Sequence, residues 1–541
     1  MHILNKNILL IGINSKYIHP AMGVFQLYTN TDKEKYNLDY FEFTIKDNIE
    51  DIINQINNHP SSVISLSCYI WNIEIIKQII PNINNKIIIL GGPEASFNPN
   101  LLYLENVNYL IKGEGEESFT ELLEYLNNQR NITDVSNLNY LDNNTLKYTY
   151  TKLPNLENVK HDLSLIKDFK NRICYVESSR GCFYNCSYCL AATEKPVRFF
   201  PIDEVKANIL YLLQNNAKVI KFLDRSFNIK KDYINEILSF IKENDNNIST
   251  FQFEVNGDNL HQDTIDIINS MRPKMIRLEI GIQTTNPDTS KAILRHQNFN
   301  KLKENILKIK DNTIIHTDLI AGLPLEDYES FKNSFNETFL LFTEELQLGT
   351  LKELKGTHIS KTKQEHDYIF SDTAPFEVIQ NKYITKDELD LIRTVEKAVD
   401  KFYNYGYFKN TINYLFNELK LNPFDTFLNL MKMIEQIKPL NQLQFDELTR
   451  AFYYFLSLDV SDKEKLLFII KEDYLTKNKI KPKIWWHPTV TREIRREIYL
   501  IFKEKYNLNI DELYKYAHLE KYNNEYLLIN YKTFTKYKIR L

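Results

Sequence analysis

Short apolar segments that alternate with polar, helix-compatible stretches constrain the fold of this 541-residue chain more than any other feature. Near-continuous apolar strands separated by helices are typical of a parallel sheet that is covered by helices on both faces. The first series of such strands is predicted at residues 8–13, 38–45, 63–67, 87–90 and 109–112. Residues 1–135 are therefore predicted to form a doubly wound α/β domain that binds its ligand beyond the carboxyl ends of the strands.

A second alternating series follows an Asn-rich, polar stretch at 136–167 that is predicted to be an irregular linker. Its strands are predicted at residues 173–178, 218–224, 250–255, 275–280, 314–320 and 346–351. Six strand–helix units over 168–360 favour a partial (β/α)6 barrel of the TIM type, with its active site at the carboxyl ends of the strands. Residues 361–541 show helical periodicity after a capping box, and we expect a mostly α-helical C-terminal domain there.

Composition excludes several classes of protein. The 67 Lys and Arg residues nearly balance the 71 Asp and Glu residues, so the net charge of −4 indicates neither a nucleic-acid surface nor a membrane surface. No apolar run is long enough for a membrane span or a signal-peptide core, so a cytoplasmic protein is expected. A local excess of basic residues at 461–541 would suit an anionic partner, or it forms a solvated face over an aromatic core that includes Trp485 and Trp486.

Three of the five cysteines fall within eight residues, directly after the first strand of the second series. Cys182, Cys186 and Cys189 have C-x3-C-x2-C spacing. Thiolates this close share a metal centre, oxidise, or repel one another. Structural zinc sites normally have four protein ligands, and no fourth Cys or His follows at the usual spacing. An iron–sulfur cubane usually has four cysteine ligands, so three on one loop would leave one iron open for an exchangeable ligand.

With Tyr188 before the last cysteine, the motif resembles that of the radical S-adenosylmethionine (SAM) superfamily. The resemblance implies a [4Fe-4S] cluster held by the three cysteines, and reductive cleavage of SAM to a 5′-deoxyadenosyl radical under anaerobic conditions. The stretches 222–227, 279–284 and 318–324 resemble later motifs of the superfamily, although Arg225 stands where a second acid is common. The SAM-binding residues implied in this way are Tyr188, Asp224, Glu254, Glu279, Gln283 and Leu323. Each of the acids could instead be an ordinary hydrogen-bonding residue of the barrel interior.

A flavodoxin-like domain placed before such a barrel is similar to the arrangement in the cobalamin-binding subgroup of the superfamily. The cobalamin-binding residues implied by this resemblance are Ser15, Ser65, Ser67, Gly91, Gly92 and Glu114. Glycines at strand ends let the backbone approach a ligand closely, although ordinary turns contain them as well. The stretches 347–357 and 374–377 resemble an uncharacterised subgroup with a helical C-terminal domain of unknown function.

The first domain departs from the cobalt-ligating pattern of that subgroup. Domains that ligate cobalt carry D-x-H-x-x-G after the first strand, whereas residues 14–19 read N-S-K-Y-I-H. Cobalamin is therefore expected to bind without a histidine ligand at that position. His19 could reach the cobalt, begin the first helix, or pack against the edge of the corrin.

Three functions are compatible with these patterns. The leading hypothesis is a methyltransferase that moves a methyl group from cobalamin to a carbon of an unknown small-molecule or peptide substrate, with a reductant such as flavodoxin or ferredoxin. The second is a radical cyclisation or rearrangement without methyl transfer; sulfur insertion is disfavoured because Cys68 and Cys174 stand alone. The third is a non-catalytic corrinoid or redox-sensing module whose basic C-terminus binds nucleic acid, but the barrel motifs argue against it. Neither a membrane nor a nucleic-acid partner is expected.

Overall fold

The computed structural model describes residues 6–541. They belong to two compact units. The first extends to Phe331 and includes Gly349–Lys386, and the second comprises Lys332–Leu348 and Asp387–Leu541.

The first unit begins with a seven-stranded sheet in the order β2-β1-β3-β4-β5-β6-β7. Its strands are β1 Asn7–Asn14, β2 Asn37–Thr44, β3 Val63–Ser67, β4 Ile87–Gly91, β5 Val107–Ile111, β6 Leu138–Asp142 and β7 Thr145–Tyr148. Its helices are α1 Met22–Asn30, α2 Ile49–Asn58, α3 Ile73–Ile79, α4 Pro93–Phe97 and α5 Glu116–Leu126. The first five strands are parallel and their order is flavodoxin-like, with ligands expected at the carboxyl edge where β1 meets β3. The prediction of a doubly wound sheet is confirmed.

The prediction of an irregular linker is wrong for the part of 136–167 that forms β6 and β7. These strands make an antiparallel hairpin that extends the sheet beyond β5. Its two-residue turn is Asn143-Asn144, and both residues have positive φ, 46° and 61°. Tight hairpin turns of this kind need left-handed residues, and asparagine tolerates that conformation. An Asn-Asn pair favours such a turn, but asparagine is so frequent in this chain that the pair by itself did not distinguish a hairpin from a linker.

The barrel strands form a second sheet in the order β13-β12-β11-β10-β9-β8. The strands are β8 Ile173–Val176, β9 Val219–Phe222, β10 Thr250–Val255, β11 Ile276–Gln283, β12 Ile314–Ala321 and β13 Glu345–Thr350. The helices are α6 Ile202–Gln214, α7 Lys231–Glu243, α8 Gln262–Asn269, α9 Pro287–Ala292, α10 Phe299–Ile309, α11 Tyr328–Phe339 and α12 His358–Thr362. Adjacent strands from β8 to β12 pair in parallel, and β11 alternates buried with half-buried residues. The expected partial barrel is confirmed, and its half-buried face lines the lumen.

Residues 361–386 belong to the first unit, although the sequence assigned them to the C-terminal domain. The Tyr368 hydroxyl and the Asn381 amide both donate to the carbonyl oxygen of Gly322, each at 3.0 Å. Ala374 and Phe376 pack against the core of the first sheet. This segment therefore supports the barrel rather than the domain that follows it.

The second unit is mostly helical, as predicted, but it ends in a sheet that the sequence did not indicate. Its helices are α13 Lys386–Val399, α14 Lys409–Asn413, α15 Pro423–Ile437, α16 Phe445–Leu456, α17 Lys463–Lys477, α18 Arg492–Tyr506 and α19 Ile510–Tyr516. The strands β14 Ala517–Tyr522, β15 Glu525–Asn530 and β16 Thr535–Arg540 form an antiparallel meander. Trp486 is buried among Phe468, Tyr474 and residues of β15, so the expected aromatic core is present. Among residues 6–541, no helix combines the length and the apolar character needed to cross a lipid bilayer.

Helix α17 buries three consecutive charged residues, Lys471, Glu472 and Asp473. Each is paired with a different element, since a buried charge needs a partner. Lys471 lies 2.8 Å from Glu520 on β14, while Lys536 and Lys538 on β16 lie 2.9 and 2.6 Å from Glu472. Asp473 accepts backbone and side-chain hydrogen bonds at the start of α14, from Asn410 and Thr411.

We expect Glu520→Gln to destabilise the second unit by roughly 3 kcal/mol, because it leaves the Lys471 ammonium buried without a counter-ion. Urea unfolding followed by tryptophan fluorescence would measure the change. The double variant Lys471→Met/Glu520→Leu should recover part of the loss, since neither side chain of this pair is then charged, although Trp486 Nε1 also loses the acceptor that Glu520 provides. Glu525→Gln is the matched control, because the side chains of Glu525 and its partner Lys538, 3.6 Å away, are 39% and 40% exposed. Equal losses in Glu520→Gln and Glu525→Gln would contradict this account of Lys471.

Candidate functional site

The three predicted cluster ligands lie on the loop that follows β8, hereafter the cysteine loop (residues 182–189). All three thiols are free; Cys182 and Cys186 are buried and Cys189 is half-buried. The loop begins at Gly181, whose φ is +92° and where a Cβ atom would lie 2.7 Å from the carbonyl oxygens of Glu194 and Pro196. Only glycine fits this turn. The first cysteine is thereby held directly against the chain that returns at residue 194.

The middle of the cysteine loop is fastened by backbone hydrogen bonds. The Ser187 amide donates to the Ile293 carbonyl at 2.9 Å, and the Ile359 amide donates to the Ser187 carbonyl at 3.0 Å. A further bond of 3.1 Å joins the Cys189 amide to the Cys186 carbonyl. The thiols are therefore presented by a backbone that the rest of the first unit holds in place.

The donor set fits an iron–sulfur cubane better than a single metal ion. Among residues 6–541, no three His, Cys, Asp or Glu side chains are arranged to hold one ion, which counts against zinc. A cubane does not need that arrangement, because each cysteine binds a different iron. Burial raises the pKa of the Cys182 and Cys189 thiols, and the neighbouring thiols raise them further. Bound iron would have to displace these protons.

Arg295, which the sequence did not single out, lies against the cysteine loop. Its Nη1 donates to Cys186 Sγ at 3.7 Å and to the Tyr188 hydroxyl at 3.4 Å, and its Nη2 donates to the Gly281 carbonyl. The guanidinium thus links the loop to strand β11. Arg295 is a single arginine just after α9, and nothing in the sequence around it indicates a contact with the cysteines.

Asp224 contacts the residues that lead into the cysteine loop. It is 1% exposed, and it accepts from the Ser178 amide at 3.0 Å and from the Ser178 and Ser179 hydroxyls at 2.5 Å each. Burial raises the pKa of Asp224 to about 6 despite these hydrogen bonds. The residue predicted as a SAM neighbour therefore fixes the start of the loop.

Two of the other predicted SAM residues lie side by side on neighbouring barrel strands. Glu254 and Glu279 are paired in register on β10 and β11, and Lys221 lies between them at 3.6 and 2.8 Å. Burial raises the pKa of Glu254, although the charge of Lys221 opposes the shift. Gln283 has a φ of +69°, and its buried Oε1 has no hydrogen-bond partner among residues 6–541. An unsatisfied buried acceptor is the kind of group that a bound ligand completes. Leu323 is fully buried.

The predicted cobalamin residues occupy the carboxyl edge of the first sheet. Ser15 follows β1, Ser65 is buried in β3, and the Ser67 hydroxyl donates to the Ile11 carbonyl at 3.4 Å. Nothing lies within 4 Å of the point where a Cβ atom on Gly91 would be, so a ligand can approach this backbone closely.

The glycine that follows has a different role. A Cβ atom on Gly92, whose φ is +92°, would lie 2.7 Å from the Cys68 carbonyl oxygen. Gly92 therefore turns the chain, whereas Gly91 leaves space. This edge fits a ligand that lies along β3 and β4.

Two residues of the first domain have partners that the sequence did not anticipate. Both oxygens of the Glu114 carboxylate accept from arginines, Arg180 at 2.8 Å and Arg198. His19 precedes α1, and its Nδ1 lies 2.7 Å from the hydroxyl of Tyr175 on β8. Burial lowers the pKa of His19, and the charges of nearby lysines add to this. Both residues thus connect the first sheet to the barrel.

Glu114 belongs to a buried group of charges that we name the Arg180 cluster, consisting of Arg180, Glu114, Glu116, Glu177 and His161. Arg180 Nη2 lies 2.7 Å from Glu116 and 2.8 Å from Glu177. His161 joins Glu177 at 3.2 Å and Glu204 at 3.0 Å. Burial alone would lower the pKa of His161, but the hydrogen bonds to the two glutamates outweigh it and raise the pKa to about 9.

The pKa of His161 predicts how stability depends on pH. Its folded pKa of about 9 exceeds the unfolded value of 6.5, so its stabilising contribution is complete below pH 6.5 and is lost as the pH rises through 9. The loss should be on the order of 3 kcal/mol. Thermal unfolding of wild type at pH 6 and pH 9 would measure it, and His161→Gln should flatten the dependence. His59→Gln is the control, because His59 pairs with an exposed Asp39. An unchanged pH dependence in His161→Gln would contradict the assignment.

Three family models match the chain in succession. The B12 binding domain matches residues 8–123, the radical SAM superfamily matches 176–337, and a protein family of unknown function, DUF4080, matches 364–538.

Curated relatives match at low identity. An uncharacterised methyltransferase, PH0819, from Pyrococcus horikoshii is 26% identical over 216 residues, which cover 37% of this chain and 47% of the relative. The cobalamin-dependent radical SAM methyltransferase TokK of Streptomyces tokunonensis is 26% identical over 303 residues, covering 50% of this chain and 44% of TokK. The chain thus spans about half the length of the curated relatives that it matches.

Solved structures support the fold. The cobalamin-dependent SAM radical enzyme OxsB, with aqua-cobalamin and SAM bound, aligns with a TM-score of 0.60 at 14% identity, covering 94% of this chain and 82% of OxsB. The radical SAM methyltransferase TsrM from Kitasatospora setae, with cobalamin and a [4Fe-4S] cluster bound, aligns with a TM-score of 0.59 at 14% identity, covering 69% and 82%. The flavodoxin-like sheet and the three-thiol barrel loop thus occur in the same order along the sequence as the match to the B12 binding domain and the match to the radical SAM superfamily.

Proposed function

We propose that this protein is a cobalamin-dependent radical SAM methyltransferase that methylates a carbon atom of a small molecule or peptide. The observation that carries the proposal is the presence, in one compact unit, of a three-thiol loop and a flavodoxin-like carboxyl edge. When bound, the cluster would supply the electron that cleaves SAM, and cobalamin would supply the methyl group. Relatives described as methyltransferases favour this reaction over others.

In this proposal, each part of the site has a separate task. Cys182, Cys186 and Cys189 would hold the cluster, with Arg295 beside Cys186. The lumen residues Tyr188, Glu254, Glu279, Gln283 and Leu323 would surround SAM, and Asp224 would act through the loop that it supports. The strand ends with Ser15, Ser65, Ser67, Gly91 and Gly92 would take cobalamin, whereas Glu114 would act through Arg180.

The domain roles follow from the same proposal. Residues 1–135, extended by the hairpin of β6 and β7, would bind cobalamin, 168–360 would carry the radical chemistry, and the part after 386 would contribute to substrate choice. We expect the protein to work in the cytoplasm, without oxygen, and with a low-potential donor such as flavodoxin or ferredoxin. A cyclisation or rearrangement without methyl transfer is the second candidate, whereas sulfur insertion is disfavoured because Cys68 and Cys174 are buried singly and supply no further cluster. A product that gains one methylene unit in mass would separate methylation from rearrangement.

The cysteine loop gives the first test. Anaerobic reconstitution of wild type with iron and sulfide should yield about one cubane per chain, measured by iron and sulfide content and visible absorption. Cys182→Ala, Cys186→Ala and Cys189→Ala should each lose most of this absorption and all formation of 5′-deoxyadenosine from SAM. Cys68→Ala and Cys174→Ala are matched controls, because both thiols are buried and donate to carbonyl oxygens two residues before them. Stoichiometric zinc without SAM cleavage in the wild type would overturn the proposal.

The carboxyl edge gives the second test. Gly91→Leu would extend a side chain into the space that is open beside this backbone, and we expect it to abolish retention of hydroxocobalamin on gel filtration. The cluster content should stay at the wild-type level, since Gly91 lies on the first sheet. Gly349→Ala serves as the control, because its added Cβ atom would meet only ordinary contact, 3.6 Å from the Leu319 carbonyl oxygen. Retained cobalamin in a folded Gly91→Leu would place the corrinoid elsewhere.

A further inference from the structure

The strand that leads into the cysteine loop is tied at both of its ends to the carboxyl edge of the first sheet. Before β8, Arg172 forms a bidentate pair with Glu42 of β2, at 2.9 and 2.8 Å, and donates to the Tyr17 carbonyl at 3.0 Å. After β8, Arg180 reaches Glu114 and Glu116, which follow β5. Strand β8 is thus attached to the chain ends of β1, β2 and β5, the edge where a ligand of this fold binds.

The contact after β8 fixes orientation as well as distance. The two terminal nitrogens of Arg180 engage different carboxylates, Glu114 through Nη1 and Glu116 through Nη2, while its Nε donates to Glu177 at 3.1 Å. A planar guanidinium can satisfy three acceptors only in one plane. The side chains of Arg180 and Glu116 are 11% and 7% exposed, so water cannot readily replace these partners.

The chain between Arg180 and Cys182 is short and held in place by backbone contacts. Ser179 and Arg180 pair antiparallel with Phe199 and Arg198, and the next residue is the strained turn at Gly181. The Cys182 amide then donates to the Glu194 carbonyl at 3.1 Å. A displacement of Glu114 and Glu116 is therefore transmitted to Cys182 through a single intervening residue, Gly181, whose turn only glycine's conformational freedom allows.

We propose that Arg180 is a positioning residue that sets the separation between the cobalamin edge and the cysteine loop. The inference rests on the proposed function, because it needs a cluster and a corrinoid in the same unit. Of the residues implied for the two groups, Arg180 hydrogen-bonds to Glu114, whose carboxylate it shares with Arg198, and to none of the three cysteines. Its loss should therefore leave each group bound and disturb only their mutual geometry.

The test measures that geometry directly. Protein reconstituted with iron, sulfide and hydroxocobalamin is reduced with dithionite, so that the cluster and the cobalt both carry an unpaired electron. Pulsed electron paramagnetic resonance then reports the dipolar interaction between them. We expect a resolved dipolar interaction in wild type and its loss in Arg180→Met. Arg180→Lys should give an intermediate, broadened interaction, because lysine keeps the positive charge but lacks the planar guanidinium that binds several carboxylates at once.

Matched variants separate this role from a general loss of fold. Glu114→Gln and Glu116→Gln each weaken one of the two ion pairs that Arg180 makes with the first sheet's carboxyl edge. Both should broaden the dipolar interaction between cluster and cobalt, and they provide the test if Arg180→Met does not fold. Glu236→Gln, which disrupts an exposed ion pair with Lys206 on the barrel helices, should match wild type. A wild-type interaction in Arg180→Met, with both groups bound, overturns this inference alone. A wild type that binds no corrinoid overturns the proposed function, and this inference with it.

Discussion

Buried arginines on either side of strand β8 are the constraint on which the first unit depends. A guanidinium that leaves water needs carboxylate partners, and here the partners of Arg172 and Arg180 come from the first sheet. The two sheets are adjacent in sequence, but their relation is fixed by these long-range pairs and not by the chain that joins them. The hairpin of β6 and β7 occupies much of that joining chain and completes the first sheet.

The acidic residues near the thiols divide into two groups with different physical tasks. The Asp224 carboxylate accepts hydrogen bonds from the Ser178 amide and from the hydroxyls of Ser178 and Ser179, so it holds the chain that leads into the cysteine loop. Glu254 and Glu279 face the lumen instead, where Lys221 offsets part of their charge. Asp224 and the Glu254–Glu279 pair therefore differ in burial and in partner.

The parallel strands of both sheets could be predicted because apolar periodicity is a local property, and their observed bounds differ from the predicted ones by only a few residues, whereas β6 and β7 were missed. The three cysteines were predictable for the same reason, since their spacing is local. Arg295, Lys221 and the Arg180 cluster were missed because their partners are distant in sequence. The sequence implied Glu114 as a cobalamin-binding residue, and its arginine partners were missed because they too are distant in sequence.

Helix α17 has a consequence for the order in which the second unit can form. The ribosome synthesises α17 before the strands that hold its partners. Glu520, which pairs with Lys471, and the β16 lysines, which pair with Glu472, follow some 50 to 65 residues later. Until those strands have left the ribosome, docking α17 would bury two uncompensated charges. We therefore expect α17 to pack into the second unit only after the meander at 517–540 has been synthesised, so that pairing with the meander is the last step in the assembly of this unit.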